Sequence, residues 1–218
     1  MKKIIIIGAG ANALEIIEYI EYINNIKETY EIIGLLDDSF ENYVENISLD
    51  YSYQYLGNTK EPLVRKDFYY FLAIANVPVR RIIIDRFLEE GAVFSNIIHP
   101  MAYMSPSAKV GVGNLIYATA LIGPKVIVGN FNLVNAGVCL GHHTVLGDNN
   151  VLCPKVTISG YNKIGDNNLF GSNVSSFPGL VIGSSNVISA GIILDKNVPD
   201  RSTIYYRYKE KVFVLPKE

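Results

Sequence analysis

Two adjacent histidines, His142 and His143, are the residues of this 218-residue sequence best equipped for chemistry. Imidazole changes charge near neutral pH, so a positioned histidine can take a proton from an attacking amine or hydroxyl. The only other histidine is His99. A zinc site of the carbonic-anhydrase kind needs three converging histidines, and an adjacent pair is badly placed to share one ion, so no metal is expected. Cys139 and Cys153 are the only cysteines, without a CxxC. Neither a disulfide framework nor a zinc cluster follows from them, which fits a reducing cytoplasm. A second stretch with chemical potential is Gly8-Ala9-Gly10-Ala11-Asn12-Ala13, a GxGxxA turn between an apolar run and a helical pattern. Bare amides and a helix N-terminus there can meet a phosphate or a sugar closely. Asp37-Asp38, closing the next apolar run, can accept hydrogen bonds from hydroxyls or a base.

The histidines sit inside a strict repeat. Every sixth position from Met104 to Leu194 is large and apolar in fifteen of sixteen cases, with Ser176 the exception. A chain that is 49% hydrophobic would give about eight by chance. Glycine follows in eight cases: Gly111, Gly123, Gly129, Gly141, Gly147, Gly165, Gly171 and Gly183. This period predicts a left-handed parallel β-helix of hexapeptide repeats, with three hexads to a triangular coil. One aliphatic residue per face points inward, and the glycine beside it sits where a Cβ would be crowded. Residues 18 apart then stack along the axis. His142 lies two positions past the inward Leu140, at a coil corner, with Gly160 and Pro178 above it; Ser172 and Ala190 form a second small stack.

Before the repeat the chain reads as a small α/β unit. Ile4 to Ile7 is a β-branched run typical of a strand buried on both faces. A helix follows through Ala13 to Ile20, a strand over Glu31 to Leu36 and another over Phe68 to Ala75. Asn76-Val77-Pro78 breaks the chain, and Pro78 can open a helix running from Val79 to Glu90, ended by Gly91. Val93 to Ile98 reads as a short strand, and His99-Pro100 marks the crossing into the β-helix. The expected organisation is α/β plus all-β: a Rossmann-like domain over 1–98, a β-helix over 99–200 and a capping tail over 201–218, in which Tyr205 to Val214 is basic and aromatic. The first hundred residues are too few for a six-strand dinucleotide fold, which argues against a nicotinamide dehydrogenase. Net charge is -2, with no bias toward nucleic acid or anionic membrane. The initial apolar run is too short for a signal peptide, and none approaches the roughly twenty residues of a membrane span.

The GxGxxA turn, Asp37-Asp38 and the stretch from Val134 to Asp148 (Val-Asn-Ala-Gly-Val-Cys-Leu-Gly-His-His-Thr-Val-Leu-Gly-Asp) occur together in one chain. With Leu56-Gly57, Ile98-His99-Pro100, Ile158-Ser159-Gly160 and Lys196-Asn197-Val198-Pro199, this combination resembles the sugar O-acyltransferases of the sialic-acid and bacillosamine-precursor acetyltransferase type, which include perosamine N-acetyltransferase-like proteins. The resemblance implies an acetyl-CoA-dependent transferase acting on the amino group of a nucleotide-linked amino sugar for bacterial surface glycans. It also implies a homotrimer with active sites between subunits. In the position of the family's general base stands His142, with His143 and Asn135 of the same motif beside it as catalytic candidates. The sugar nucleotide is expected against Gly8, Gly10, Ala11, Asn12, Asp37, Asp38, Asn76 and Arg80. Acetyl-CoA is expected along a track of Gly160, Ser172, Pro178 and Ala190, with the Gly160 amide near the thioester.

Four positions depart from the family pattern. His143 stands where an acidic residue usually orients the base, and Val151 replaces a histidine nine positions after it. Asn12 stands where Gly-Gly-His or Ser-Gly-His ends, and Tyr205-Tyr206-Arg207-Tyr208 replaces a Gly-Asn-Pro-Ala segment, with Arg207 and Lys209 as phosphate candidates. O-acetylation of a sialic-acid-like sugar remains open as an alternative, and so does a non-catalytic β-helix scaffold.

Overall fold

The computed structural model describes residues 1–39, 53–61 and 64–206. The chain starts with β1 (Lys2–Ile7), α1 (Ala11–Ile26), β2 (Tyr30–Leu36), β3 (Gln54–Tyr55), β4 (Tyr69–Leu72), α2 (Val77–Glu89) and β5 (Val93–Phe94). The five strands form a parallel sheet in the order β3-β2-β1-β4-β5. β1 is central, and its isoleucines divide between the two faces as the pleat requires. Ile4 and Ile6 pack with Ala13, Ile16, Ile17 and Ile20 of α1. Ile5 and Ile7 pack with Ile83, Ile84 and Phe87 of α2. The order reverses between β1 and β4, where the turn from Gly8 and the loop from Ala73 leave the sheet side by side. Such a crevice outside the carboxyl ends of the strands is where open α/β sheets bind ligands.

The sequence pattern suggests one strand over Val93 to Ile98. The structure divides it: β5 closes the small sheet, and Ile97–Ile98 is already the first rung of the β-helix, paired with Leu115–Ile116. Asn96 causes the break. Its amide donates to Gly111 O, and its oxygen accepts from Asn114 N–H. It begins an internal column of asparagines at 96, 114, 132, 150, 168 and 186; each of the first five accepts at its side-chain oxygen from the backbone N–H of the asparagine one coil later, and Asn186 accepts from Ser202 N–H.

Eighteen two-residue strands follow, stacked in three parallel sheets, which we call the first, second and third faces. The first runs from Ile97–Ile98 to Thr203–Ile204, the second from Tyr103–Met104 to Ile193–Leu194, the third from Lys109–Val110 to Val181–Ile182. The predicted inward row forms one apolar core from Met104 to Leu194. Ser176 is buried as well, and its hydroxyl accepts from Ser159 N–H and the Asn162 amide, so the polar exception is satisfied. The glycines after the inward row are required by the next coil, not by their own torsions. A methyl at Gly129 would lie 2.6 Å from Gly147 O and 2.8 Å from Gly147 C. Backbone cannot move aside cheaply there, so Gly129→Ala should cost about 2 kcal/mol in urea unfolding.

The small domain covers the first face. Ile97, Leu115, Leu133 and Val151, all pointing outward, are buried with α1 in a shared core. On the buried face of α2, which also carries Ile83, Ile84 and Phe87, Arg80 is fully buried. Its guanidinium donates to Asn149 Oδ1 at 2.9 Å, to Phe131 O and to Ile74 O. Asn149 in turn donates to Val77 O. A polar clasp therefore joins α2 to two coils of the β-helix. Thr203–Ile204 pairs with Val187–Ile188 at the far end, and Tyr206 donates to Gly191 O. The expected capping strand from Tyr205 lies mostly outside the described residues, as do Arg207 and Lys209.

Candidate active site

His142 and His143 form the turn that joins the second face to the third. Left-handed backbone recurs at these corners every six residues, and His143 has φ 60° and Tyr161 φ 63°. The turns stack: His143 N–H donates to Pro124 O, and Tyr161 N–H donates to His142 O. Both imidazoles are exposed. The ring of His142 lies over Gly160, where an added methyl would come 2.7 Å from Cε1 and 2.9 Å from Nε2. Gly160 has no left-handed torsion, so it is the imidazole above it that excludes a side chain. In Gly160→Ala the ring must swing away while the coil stays intact. A base displaced by about 1 Å can lose up to about 100-fold in rate. We expect a ten- to hundredfold fall in turnover with an unchanged melting temperature.

The Nδ1 atoms of His142 and His143 are 3.2 Å apart, within hydrogen-bond distance. Tyr161 joins them. Its ring stacks on His143 at 4.7 Å with 13° between planes and meets His142 edge-on at 5.0 Å. Sequence reasoning missed Tyr161, although it stands 18 residues past His143 and so directly above it. The Gly160 N–H makes no hydrogen bond among the described residues. Five successive turns of this edge carry no carboxylate: 103–110, 121–128, 139–146, 157–164 and 175–182 contain no Asp or Glu, but do contain Lys109, Lys125 and Lys163, and Asp195 first appears on the coil after them.

The other candidates are distributed as follows. Asn135 stands at the preceding corner, between the first and second faces, and its side chain accepts from Ala136 N–H. In a single chain the group facing Nδ1 of His142 is therefore His143 and not Asn135. Pro178 continues the column of His142 and Gly160, but Ser172 and Ala190 lie on the corner of Asn135. They are 30 and 48 residues past His142, neither a multiple of 18, so the two small stacks stand on different edges. Val151 is buried beneath the small domain, in contact with the core around α1.

In the small domain, Gly8 has φ 107°, and a methyl there would meet Ala73 O at 2.9 Å. Asp37 ties the turn together, accepting from Ala9 N–H at 2.8 Å and Ser39 N–H at 2.7 Å. Asp38 accepts from Thr59 N–H and its hydroxyl. Gly10 caps α1 without a side-chain bond, leaving the Ala11 and Asn12 amides and the half-buried Asn12 side chain unengaged. Asn76 caps α2, accepting from Val79 N–H. It also lines a cavity of about 540 Å³ between α2 and the first face, with Ala75, Pro78, Asn167 and Ser185. Arg80 corrects the sequence reading most clearly. Burial lowers its guanidinium to about 10, so it is still cationic at neutral pH, but its donors are turned to protein carbonyls and an amide and face no ligand space. His99, at the junction, is buried, and its pKa is lowered by desolvation; its ring stacks on Tyr22 at 4.9 Å.

Residues 3–87 match the family model described as the PglD N-terminal domain. No curated protein matches the chain in sequence. Among solved structures, the acetyltransferase domain of PglB from Neisseria gonorrhoeae FA1090, in complex with acetyl coenzyme A, is 25% identical with TM-score 0.79, covering 93% of this chain and 95% of that one. A mutant perosamine N-acetyltransferase from Caulobacter crescentus, in complex with CoA and GDP-perosamine, has TM-score 0.79 at 21% identity over 93% of both chains. WeeI from Acinetobacter baumannii AYE has TM-score 0.76 at 18% identity, over 93% and 96%. The chain thus matches the PglD N-terminal domain over residues 3–87 and continues into a parallel β-helix, and over nearly its whole length it has the fold of the PglB and perosamine N-acetyltransferase structures.

Proposed function

We propose that this protein transfers an acetyl group from acetyl-CoA to the amino group of a nucleotide-linked amino sugar, with His142 as general base. The observation that carries the reading is the exposed His142 imidazole over Gly160, among stacked turns that bear lysines and no carboxylate, in a chain whose residues 3–87 match the PglD N-terminal domain. A polyanionic cofactor such as CoA suits that edge electrostatically. The PglB and perosamine enzymes of the same fold bind acetyl coenzyme A or CoA, and the latter also binds GDP-perosamine.

In this mechanism the sugar nucleotide lies at the crevice between β1 and β4. The free Ala11 and Asn12 amides and the Asn12 side chain meet its polar groups, and Asp37 and Asp38 hold the surrounding turns. The sugar amine attacks the thioester carbonyl carbon while His142 Nε2 removes a proton. The Gly160 amide donates to the oxyanion that develops. Collapse breaks the C–S bond, and the CoA thiolate leaves with the proton, yielding the N-acetyl sugar and free CoA. Near the same edge Leu121, Ile127 and Val145 are exposed apolar residues on the outer faces. They support a homotrimer in which neighbouring copies wall the cofactor groove.

A thiol-release assay tests the reading, with acetyl-CoA and a panel of UDP-, GDP- and dTDP-linked amino sugars, sialic acid and its nucleotide. Thiol release with one amino sugar nucleotide, and a mass gain of one acetyl group on its nitrogen, is the expected result. Transfer only to hydroxyl acceptors would replace it with sugar O-acetylation. Binding of acetyl-CoA without transfer to any acceptor would favour a non-catalytic scaffold.

A further inference from the structure

We propose that His143 is the positioning residue of His142, accepting its Nδ1–H, and that Tyr161 is the platform that holds His143 in place for this. The inference rests on the reading of His142 as the base and adds the group that prepares it.

Three observations converge. The two Nδ1 atoms face each other at 3.2 Å, so in the neutral pair one must donate and the other accept. The ring of His143 is stacked within 13° of parallel on Tyr161, which fixes its plane. No carboxylate stands on the turn of His142 or on the turns stacked next to it at 124–125 and 160–161 to do the work instead. If His142 donates, its Nε2 carries the free lone pair that a base needs. His143 then carries its own proton on Nε2, away from the bond. The left-handed corner sets this up, because φ 60° at His143 and φ 63° at Tyr161 bring both side chains out of stacked turns in the same direction.

A neutral imidazole differs from a carboxylate in one respect that matters. A carboxylate at this position would stabilise the imidazolium form of His142 and hold it protonated to higher pH. His143 orients the ring without that charge. The other titratable groups on the packed turns and flanking strands are Lys125, Lys163, Tyr161 and Cys139, and none is a carboxylate.

The chain has three histidines, so selective 15N-histidine labelling gives a spectrum that resolves each ring. Long-range 1H–15N correlations on the full protein should show His142 as the Nδ1–H tautomer and His143 as the Nε2–H tautomer. In His143→Ala and Tyr161→Ala, His142 should revert to the mixed tautomers of a free imidazole, while Tyr161→Phe should match the parent. His142 found mainly as the Nε2–H tautomer, or unmoved by His143→Ala, overturns the proposal. This readout needs no acceptor, so it stands apart from the transferase reading. Where transfer is measured, His143→Glu should retain turnover and move the acid limb of kcat/KM upward by about one pH unit. His143→Ala should lower kcat about tenfold at constant KM. An acid limb left in place by His143→Glu also counts against the proposal.

Discussion

His142→Ala should lose about two to four orders of magnitude in kcat for acetyl transfer while its melting temperature and acetyl-CoA affinity stay put. That range is the usual worth of a general base acting on an attacking nucleophile. The stability expectation follows from the structure. His142 is exposed, its ring rests on a glycine, and its turn is held by backbone bonds that alanine keeps. Stopped-flow thiol release beside a thermal scan separates the two quantities. Full turnover in His142→Ala would remove the general-base assignment. Read alongside Gly160→Ala, which retains the imidazole but moves it, the pair distinguishes loss of the base from loss of its position.

The second large effect concerns Arg80 and is one of stability. Arg80→Ala removes a fully buried side chain and leaves Asn149 Oδ1, Phe131 O and Ile74 O without their donor. Each buried acceptor left unpaired costs about 1–3 kcal/mol, and only partial relaxation is available between α2 and stacked coils. We expect a loss of about 3 kcal/mol, seen as a lower urea midpoint. A lone buried cation is itself expensive, and this opposes the loss. Arg80→Met separates the two terms, since it retains most of the volume and discards the charge. It should lose about half as much as alanine. A methionine variant as stable as the parent would show that volume, and not the hydrogen bonds, secures the junction.

The β-helix was legible because its signal is periodic. Six-residue spacing located sixteen inward positions from Met104 to Leu194, and the structure buries every one of them at least in part. The same arithmetic, carried through at 18, leads from His143 to Tyr161 and from Asn96 along the asparagine column. Both were overlooked because polar residues at a corner or inside a turn give no hydropathy signal. Gly160 with Pro178 and Ser172 with Ala190 stand on two different edges of the column, as two separate stacks 18 apart require. Arg80 was misjudged because an arginine near a predicted ligand crevice reads as a binding group, and only packing reveals that its donors point at the β-helix. The strand over Val93 to Ile98 divided because a side-chain amide at Asn96 outbids the β propensity of the residues around it. The alternation of Ile4 to Ile7 between two helices, by contrast, was plain from a β-branched run with no polar face.

The stacked coils also give the molecule a unit of length. Up to Leu194 each coil is 18 residues and every strand pairs with the one 18 positions away, and the rise between them is the usual ~4.8 Å of paired strands. Excising one whole coil beyond Tyr161 should lower the far end of the column by that step and return every later residue to its own face. Excising six residues would instead turn the remainder by a third of a revolution, bringing each corner to the neighbouring edge. Evolution can thus lengthen or shorten the column only in whole turns, while the small domain and the histidine corner stay at a fixed height and bearing near its base.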